Sequence, residues 1–328
     1  MTTYKNVRYK LPAVTLSGAT EGSPAEGDIW YDSGKFYLGT SQSFAGVWSS
    51  GGNLATARYI LAGGGTQTAG LCMGGDTGSV SAVTEEYDGS TWSGGGNLAT
   101  ARAELAGAGT QSAGLCMGGT TVAWTNANIS NVTEEYDGSA WSSGGNLGTA
   151  RKDLAGAGTQ AAGLCMGGSD GTSANVTEEY NGTSWSAGGN LAAKRWYLAG
   201  CGTQAAGLAI GGSTGVITNV TEEYDGTSWS AGGNLATARY SLAGAGIQTA
   251  GLCMGGTTGS VSNVTEEYDG TSWSSGGNLA TARDSLAGCG TQSAGLCMGG
   301  YISGYTAVTE EYTHPGSYDE LFTASQGL

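Results

Sequence analysis

Residues 95–119 read GGNLATARAELAGAGTQSAGLCMGG, and residues 131–141 read NVTEEYDGSAW. Together they make one unit, and that unit is written six times. Its arginine marks the phase at Arg58, Arg102, Arg151, Arg195, Arg239 and Arg283, in steps of 44, 49, 44, 44 and 44 residues. A period in that range, with four strand-sized pieces per unit, is the signature of a propeller blade. The first piece is Leu105–Gly109. The second is Ala113–Met117, stopped by Gly118 and Gly119. The third, Val132–Tyr136, alternates so that Val132, Glu134 and Tyr136 share a face. The fourth carries Trp141 and ends at Gly144 and Gly145. A helical reading fails, because each glycine inside a helix costs about 1 kcal/mol. The expected fold class is therefore all-β, a six-bladed propeller with four-stranded blades.

Counting strands tests closure. Six copies of the first three strands occur, the last ending at Tyr312, but only five are followed by a tryptophan-bearing fourth strand. The sixth such tryptophan is Trp48, ahead of the first blade. Val47–Ser49 should therefore complete the last blade and remove the open edge of the ring. This divides the chain into an N-terminal arm (1–45), a propeller (46–312) and a C-terminal tail (313–328).

Composition narrows the function classes. The 63 glycines lack the three-residue period of collagen, and 16 Tyr and 9 Trp argue against disorder. Residues 41–328 carry 23 acids against 8 bases, and the whole chain has a net charge of −15. An acidic body opposes nucleic-acid binding. No apolar run approaches the length of a membrane span, and MTTYKNVRYK has no signal-peptide character. Cys72, Cys116, Cys165, Cys253 and Cys297 fill one slot of five repeats, where the fourth has Ala209; Cys201 and Cys289 fill another small-residue slot. Equivalent slots in separate blades are too far apart to bridge, so these read as buried reduced thiols. With no CxxC pair and one histidine, His314, neither a metal site nor a cofactor is expected.

The double glycine after the second strand, the tyrosine of the third and a tryptophan five residues on (Tyr87/Trp92, Tyr136/Trp141, Tyr180/Trp185, Tyr224/Trp229, Tyr268/Trp273) resemble the kelch repeat. That resemblance covers about residues 46–312 and implies a propeller. In the arm, Pro24–Asp32 followed by Gly34–Tyr37 resembles segments of bacteriophage tail-fibre and virion proteins. It implies an arm that docks into a particle assembled in the host cytoplasm, with other virion proteins as partners. Closure within one chain leaves a homo-oligomer permitted but not required.

Five kinds of chemistry are suggested by residue type. The six arginines could ring one mouth of the channel and hold an anion, but pairing with third-strand glutamates of their own or the neighbouring blade is favoured. The Glu-Glu pairs, such as Glu85 and Glu86, resemble an acid/base couple only in sequence, since adjacent strand residues face opposite ways. Asp225–Trp229 is similar to the Asp-box of sialidase propellers but lacks the residue between Asp and Gly. The copper oxidases among kelch propellers use histidines that this chain lacks, and its glycines lack a phosphate-loop lysine.

Comparing repeats exposes two variable slots. One follows the arginine: Tyr59-Ile60, Ala103-Glu104, Lys152-Asp153, Trp196-Tyr197, Tyr240-Ser241 and Asp284-Ser285. The other is the loop between strands two and three, with Trp124 in the longer second repeat, Val216-Ile217 in the fourth, and Tyr301 and Tyr305 in the sixth. Up-and-down strands put both slots at one end of the blade, where variation over a fixed frame suggests a binding surface. The expected binding residues are Tyr59, Glu104, Trp124, Asp153, Trp196, Tyr197, Tyr240, Asp284, Tyr301 and Tyr305. The expected function is a non-enzymatic virion component that binds a host glycan, a receptor or a virion protein. The alternatives are an intracellular kelch scaffold that grips a peptide and, with no credible catalytic set, a sugar-acting enzyme.

Overall fold

Each repeat folds into an antiparallel sheet because its short strands are cut by glycine turns. A computed structural model describes residues 46–123 and 125–314, and the strands Ile29–Asp32, Lys35–Leu38 and Leu321–Phe322. Two units partition the chain: residues 45–314 in one, and Met1–Phe44 with Pro315–Leu328 in the other. Within the smaller unit, Lys35–Leu38 lies between Ile29–Asp32 and Leu321–Phe322 in a three-stranded sheet, so arm and tail contribute to one sheet.

The larger unit is a six-bladed propeller of four-stranded blades. In the second blade the strands are Ala106–Thr110, Ala113–Met117, Thr133–Tyr136 and Trp141–Ser143, paired in sequence order. The last blade consists of Ala287–Gly290, Ala294–Met298, Thr309–Thr313 and, at its edge, Val47–Ser50. Tyr312 pairs with Trp48 in the register, and their ring centroids are 4.8 Å apart. The closure expected from the missing sixth tryptophan is present.

The alternating Ala-Gly of the first strands is set by crowding at the axis. A Cβ on Gly107 would lie 2.6 Å from the Gly63 carbonyl oxygen of the preceding blade, and one on Gly156 2.6 Å from that of Gly107. Only glycine allows that approach. Each blade then packs by its two faces. Leu71 and Met73 of the first blade meet Cys116 and Tyr136 of the second, with Trp141 lying against them. The seven cysteines are buried free thiols, and burial pushes Cys116 up to about 11. Cys116, Cys165, Cys253 and Cys297 are more than space fillers, because an arginine guanidinium donates to each sulfur, for Cys116 that of Arg102 at 3.2 Å.

Polar ties repeat around the ring. The Trp141 indole donates to Thr84 Oγ1 of the preceding blade at 2.9 Å, and Gln111 donates to the Gly70 and Tyr87 carbonyls at 3.0 and 2.8 Å. At the seam, Trp92 reaches Thr309 and Gln67 reaches the Tyr312 carbonyl in the same way. Closing the ring therefore uses the contacts that join every other pair of blades.

Candidate functional site

The recurring charged residues belong to the frame. Each arginine is buried and paired with the first glutamate of its own blade: Arg58–Glu85, Arg102–Glu134, Arg151–Glu178, Arg195–Glu222, Arg239–Glu266 and Arg283–Glu310, at 2.7–3.1 Å. The guanidinium also donates to two carbonyls, for Arg102 those of Gly118 and Val132. The second oxygen of Glu134 accepts from the Ala99 amide at 2.7 Å. Each guanidinium is buried and ion-paired, with only its Nε left unbonded, so the anion-ring alternative finds no open arginine here. The second glutamate has a different partner, the tyrosine hydroxyl of the following blade: Tyr136 donates to Glu86, Tyr180 to Glu135 and Tyr87 across the seam to Glu311. Burial, then the bond to Glu86, pushes the Tyr136 hydroxyl up to about 12. Neither carboxylate of a pair faces a shared space, as strand alternation requires.

The variable slots meet at one end of the blades. In every repeat the residue after the arginine bridges to the residue after the double glycine, and that residue to the following loop: Tyr59 to Asp76 to Val80, Trp196 to Ser213 to Ile217, Asp284 to Tyr301 to Tyr305. The double glycine makes the turn possible. Gly118 and Gly119 have φ of 66° and 92°, and the Gly119 amide donates to the Arg151 carbonyl of the next repeat at 2.8 Å.

The second position after the arginine has a feature that sequence reading missed. Ile60, Glu104, Asp153, Tyr197, Ser241 and Ser285 all have left-handed backbone, with φ between 46° and 56°. Each amide donates to the carbonyl of its counterpart one blade back: Glu104 to Ile60, Asp153 to Glu104, Tyr197 to Asp153, Ser241 to Tyr197, Ser285 to Ser241 and Ile60 to Ser285, at 2.8–3.0 Å. Six residues thus form a closed collar of backbone hydrogen bonds. Left-handed backbone costs an L-residue about 1–2 kcal/mol, and glycine would avoid it. The repeats nonetheless keep six side chains there. No local sequence signal marks the conformation, since none of the six is glycine or asparagine.

Two pockets open beside the collar. The larger, about 730 Å³, is lined by Tyr59, Tyr197, Tyr240, Tyr301, Tyr305 and Asp284, with Ser241, Ser285 and Gly304. Tyr59 stacks on Tyr305 with centroids 4.8 Å apart and an interplanar angle of 12°, and Tyr301 approaches Tyr59 at 5.6 Å. Tyr59 is 7% exposed whereas Tyr305 is 41% exposed, so the stack runs from the core outward. The smaller pocket, about 320 Å³, is lined by Lys152, Asp153, Trp196, Tyr197 and Asn126, among others. Tyr197 lines both.

Six of the ten expected binding residues therefore converge in one pocket, and Trp196 and Asp153 line its neighbour. Glu104 lines neither. It is buried and accepts a bond from Lys152 at 2.8 Å. Lys152 also lies 3.7 Å from Asp153, whose carboxyl hydrogen-bonds the Tyr197 hydroxyl. Burial, reinforced by Glu104, raises the Asp153 pKa well above the usual carboxylate range. Glu104 and Asp153 are thus part of an internal cluster rather than open acids. Trp124 lies outside the described residues. Lys152 was visible in the variable slot, but its role depends on the Glu104 of the preceding blade. Among the described residues no group of three or more His, Cys, Asp or Glu is placed to hold a metal ion.

Neither a family model nor a curated protein matches the chain. Among solved structures it is similar to one titled "Structure of YjhT", with a TM-score of 0.67 at 13% identity, covering 80% of this chain and 96% of that one. Identity so low speaks to architecture alone, and on that point sequence period, strand pairing and superposition agree: the chain is a six-bladed β-propeller.

Proposed function

We propose that the chain is a non-enzymatic binding protein that takes a glycan in the tyrosine-lined pocket at the variable mouth of the propeller, as a surface component of a bacteriophage particle. One observation carries the binding reading. Five tyrosines contributed by four different repeats converge on a single pocket, at the end of the ring where the repeats differ. Ring faces and hydroxyls in a concave site suit the C–H faces and hydroxyls of a sugar. The virion assignment rests on the resemblance of Pro24–Asp32 and Gly34–Tyr37 to tail-fibre proteins, and kelch kinship rests on the Tyr/Trp spacing. On this reading the arm engages other virion proteins and the mouth faces the host.

A second reading, a scaffold that grips a protein partner, is favoured by apolar residues exposed on the same loops. Val216 is 74% exposed and Ile302 37%. A glycan array with the full chain separates the two. The glycan reading expects retention of defined sugars, lost in Tyr305→Ala with the thermal midpoint unchanged. An array with no bound sugar, or one indifferent to Tyr305→Ala, would reject it. Co-sedimentation of the chain with purified particles tests the virion assignment separately.

A further inference from the structure

The large pocket has one carboxylate and no cationic side chain in its lining. Asp284 is only partly exposed, and Ser285 hydrogen-bonds its carboxylate. Among the described residues no Lys, Arg or His forms an ion pair with it. Burial raises its pKa, as expected for an acid partly stripped of water without a compensating charge. Lys152, lining the smaller pocket, is already engaged by Glu104. The walls are tyrosine faces, whose quadrupoles attract cations.

These features rank the sugars that could enter. An anionic sugar would meet Asp284 with no cation to receive it. A neutral sugar could donate its hydroxyls to the carboxylate but would bring no counter-charge to a group it desolvates further. A protonated amine answers both the carboxylate and the ring faces. We propose that the pocket selects a glycan bearing an unblocked, positively charged amine, with its C–H face against Tyr301 or Tyr305 and its ammonium against Asp284. The proposal rests on the glycan reading above and sharpens it. The acidic body acts in the same direction over longer range, drawing a polyamine sugar chain toward the mouth in a salt-dependent way.

Calorimetric titration of the full chain at mildly acidic pH, where the amines of glucosamine are protonated, tests this with three probes: a glucosamine trimer, an N-acetylglucosamine trimer and a galacturonate trimer. The free-amine trimer should bind at least about tenfold more tightly than the acetylated one, the gain expected of a charge-assisted hydrogen bond. The acidic trimer should bind least. In Asp284→Asn the affinities for the amine and acetylated trimers should converge, with circular dichroism and thermal midpoint confirming the fold. If the acetylated trimer binds as tightly as the amine, or the preference survives in Asp284→Asn, the amine proposal is overturned while the glycan reading stands. If no trimer binds, the amine proposal is overturned, and the glycan reading is decided separately by the array.

Discussion

Between blades, the side-chain bonds recur around the ring; at the mouth, the backbone bonds recur but the side chains do not. The interface of the first and second blades has a Trp–Thr bond, a Gln reaching two carbonyls and a Tyr–Glu bond, and the seam between the last and first blades has the same set. Above this frame the collar position reads Ile, Glu, Asp, Tyr, Ser, Ser around the ring. The contrast separates two demands on one repeated sequence. Blade packing allows a single solution for a given geometry, so its residues are copied. At the mouth the bonds that recur between blades run through the backbone, so the side chains there are free to diverge while the backbone is held identically.

The contrast can be broken most forcefully in the frame. Glu134→Ala leaves the Arg102 guanidinium buried without its anion, and stability should fall by about 3–5 kcal/mol. Chemical denaturation measures this, and an unchanged midpoint would show that the pair does not hold the blade. A smaller effect sharpens the claim that the seam is equivalent to an internal interface. Tyr87→Phe and Tyr180→Phe each remove a hydrogen bond to a carboxylate, of Glu311 and Glu135 respectively. Each should lose about 1.5–3 kcal/mol, by equal amounts. A markedly milder loss for Tyr87→Phe would mark the seam as loosely tied. The smallest change, with the opposite sign, belongs to the mouth. Ser241→Gly relieves left-handed strain and should raise stability by up to about 1 kcal/mol. A loss of that size in differential scanning calorimetry would mean that Ser241 serves the frame after all.

Architecture was legible in the sequence because packing had copied it. The five-residue spacing from Tyr87 to Trp92 recurs in five repeats, and the missing sixth tryptophan pointed to Trp48 and to closure. The arginine–glutamate pairing could be anticipated as a recurring need, but the division of labour within Glu85-Glu86 could not. It depends on which blade faces each side of the strand, and one sequence does not state that. The mouth was legible as a place, through its variation, and less so in detail. Nothing local to Glu104 or Asp153 shows that Lys152 and Tyr197, from neighbouring positions on the ring, would draw them inside. The positive φ of the collar arises from a bond to the previous blade, so it too has no signature within its own repeat.

The collar has an electrical consequence. Peptide groups carry dipoles, and in this arrangement six N–H···O=C units follow one another nose to tail until the circuit returns to its start. Vectors laid around a closed loop cancel. The in-plane components of the main-chain dipoles therefore cancel at this ring, unlike those at a helix end, and charged side chains around the mouth, Asp284 among them, set more of the potential that an approaching ligand meets.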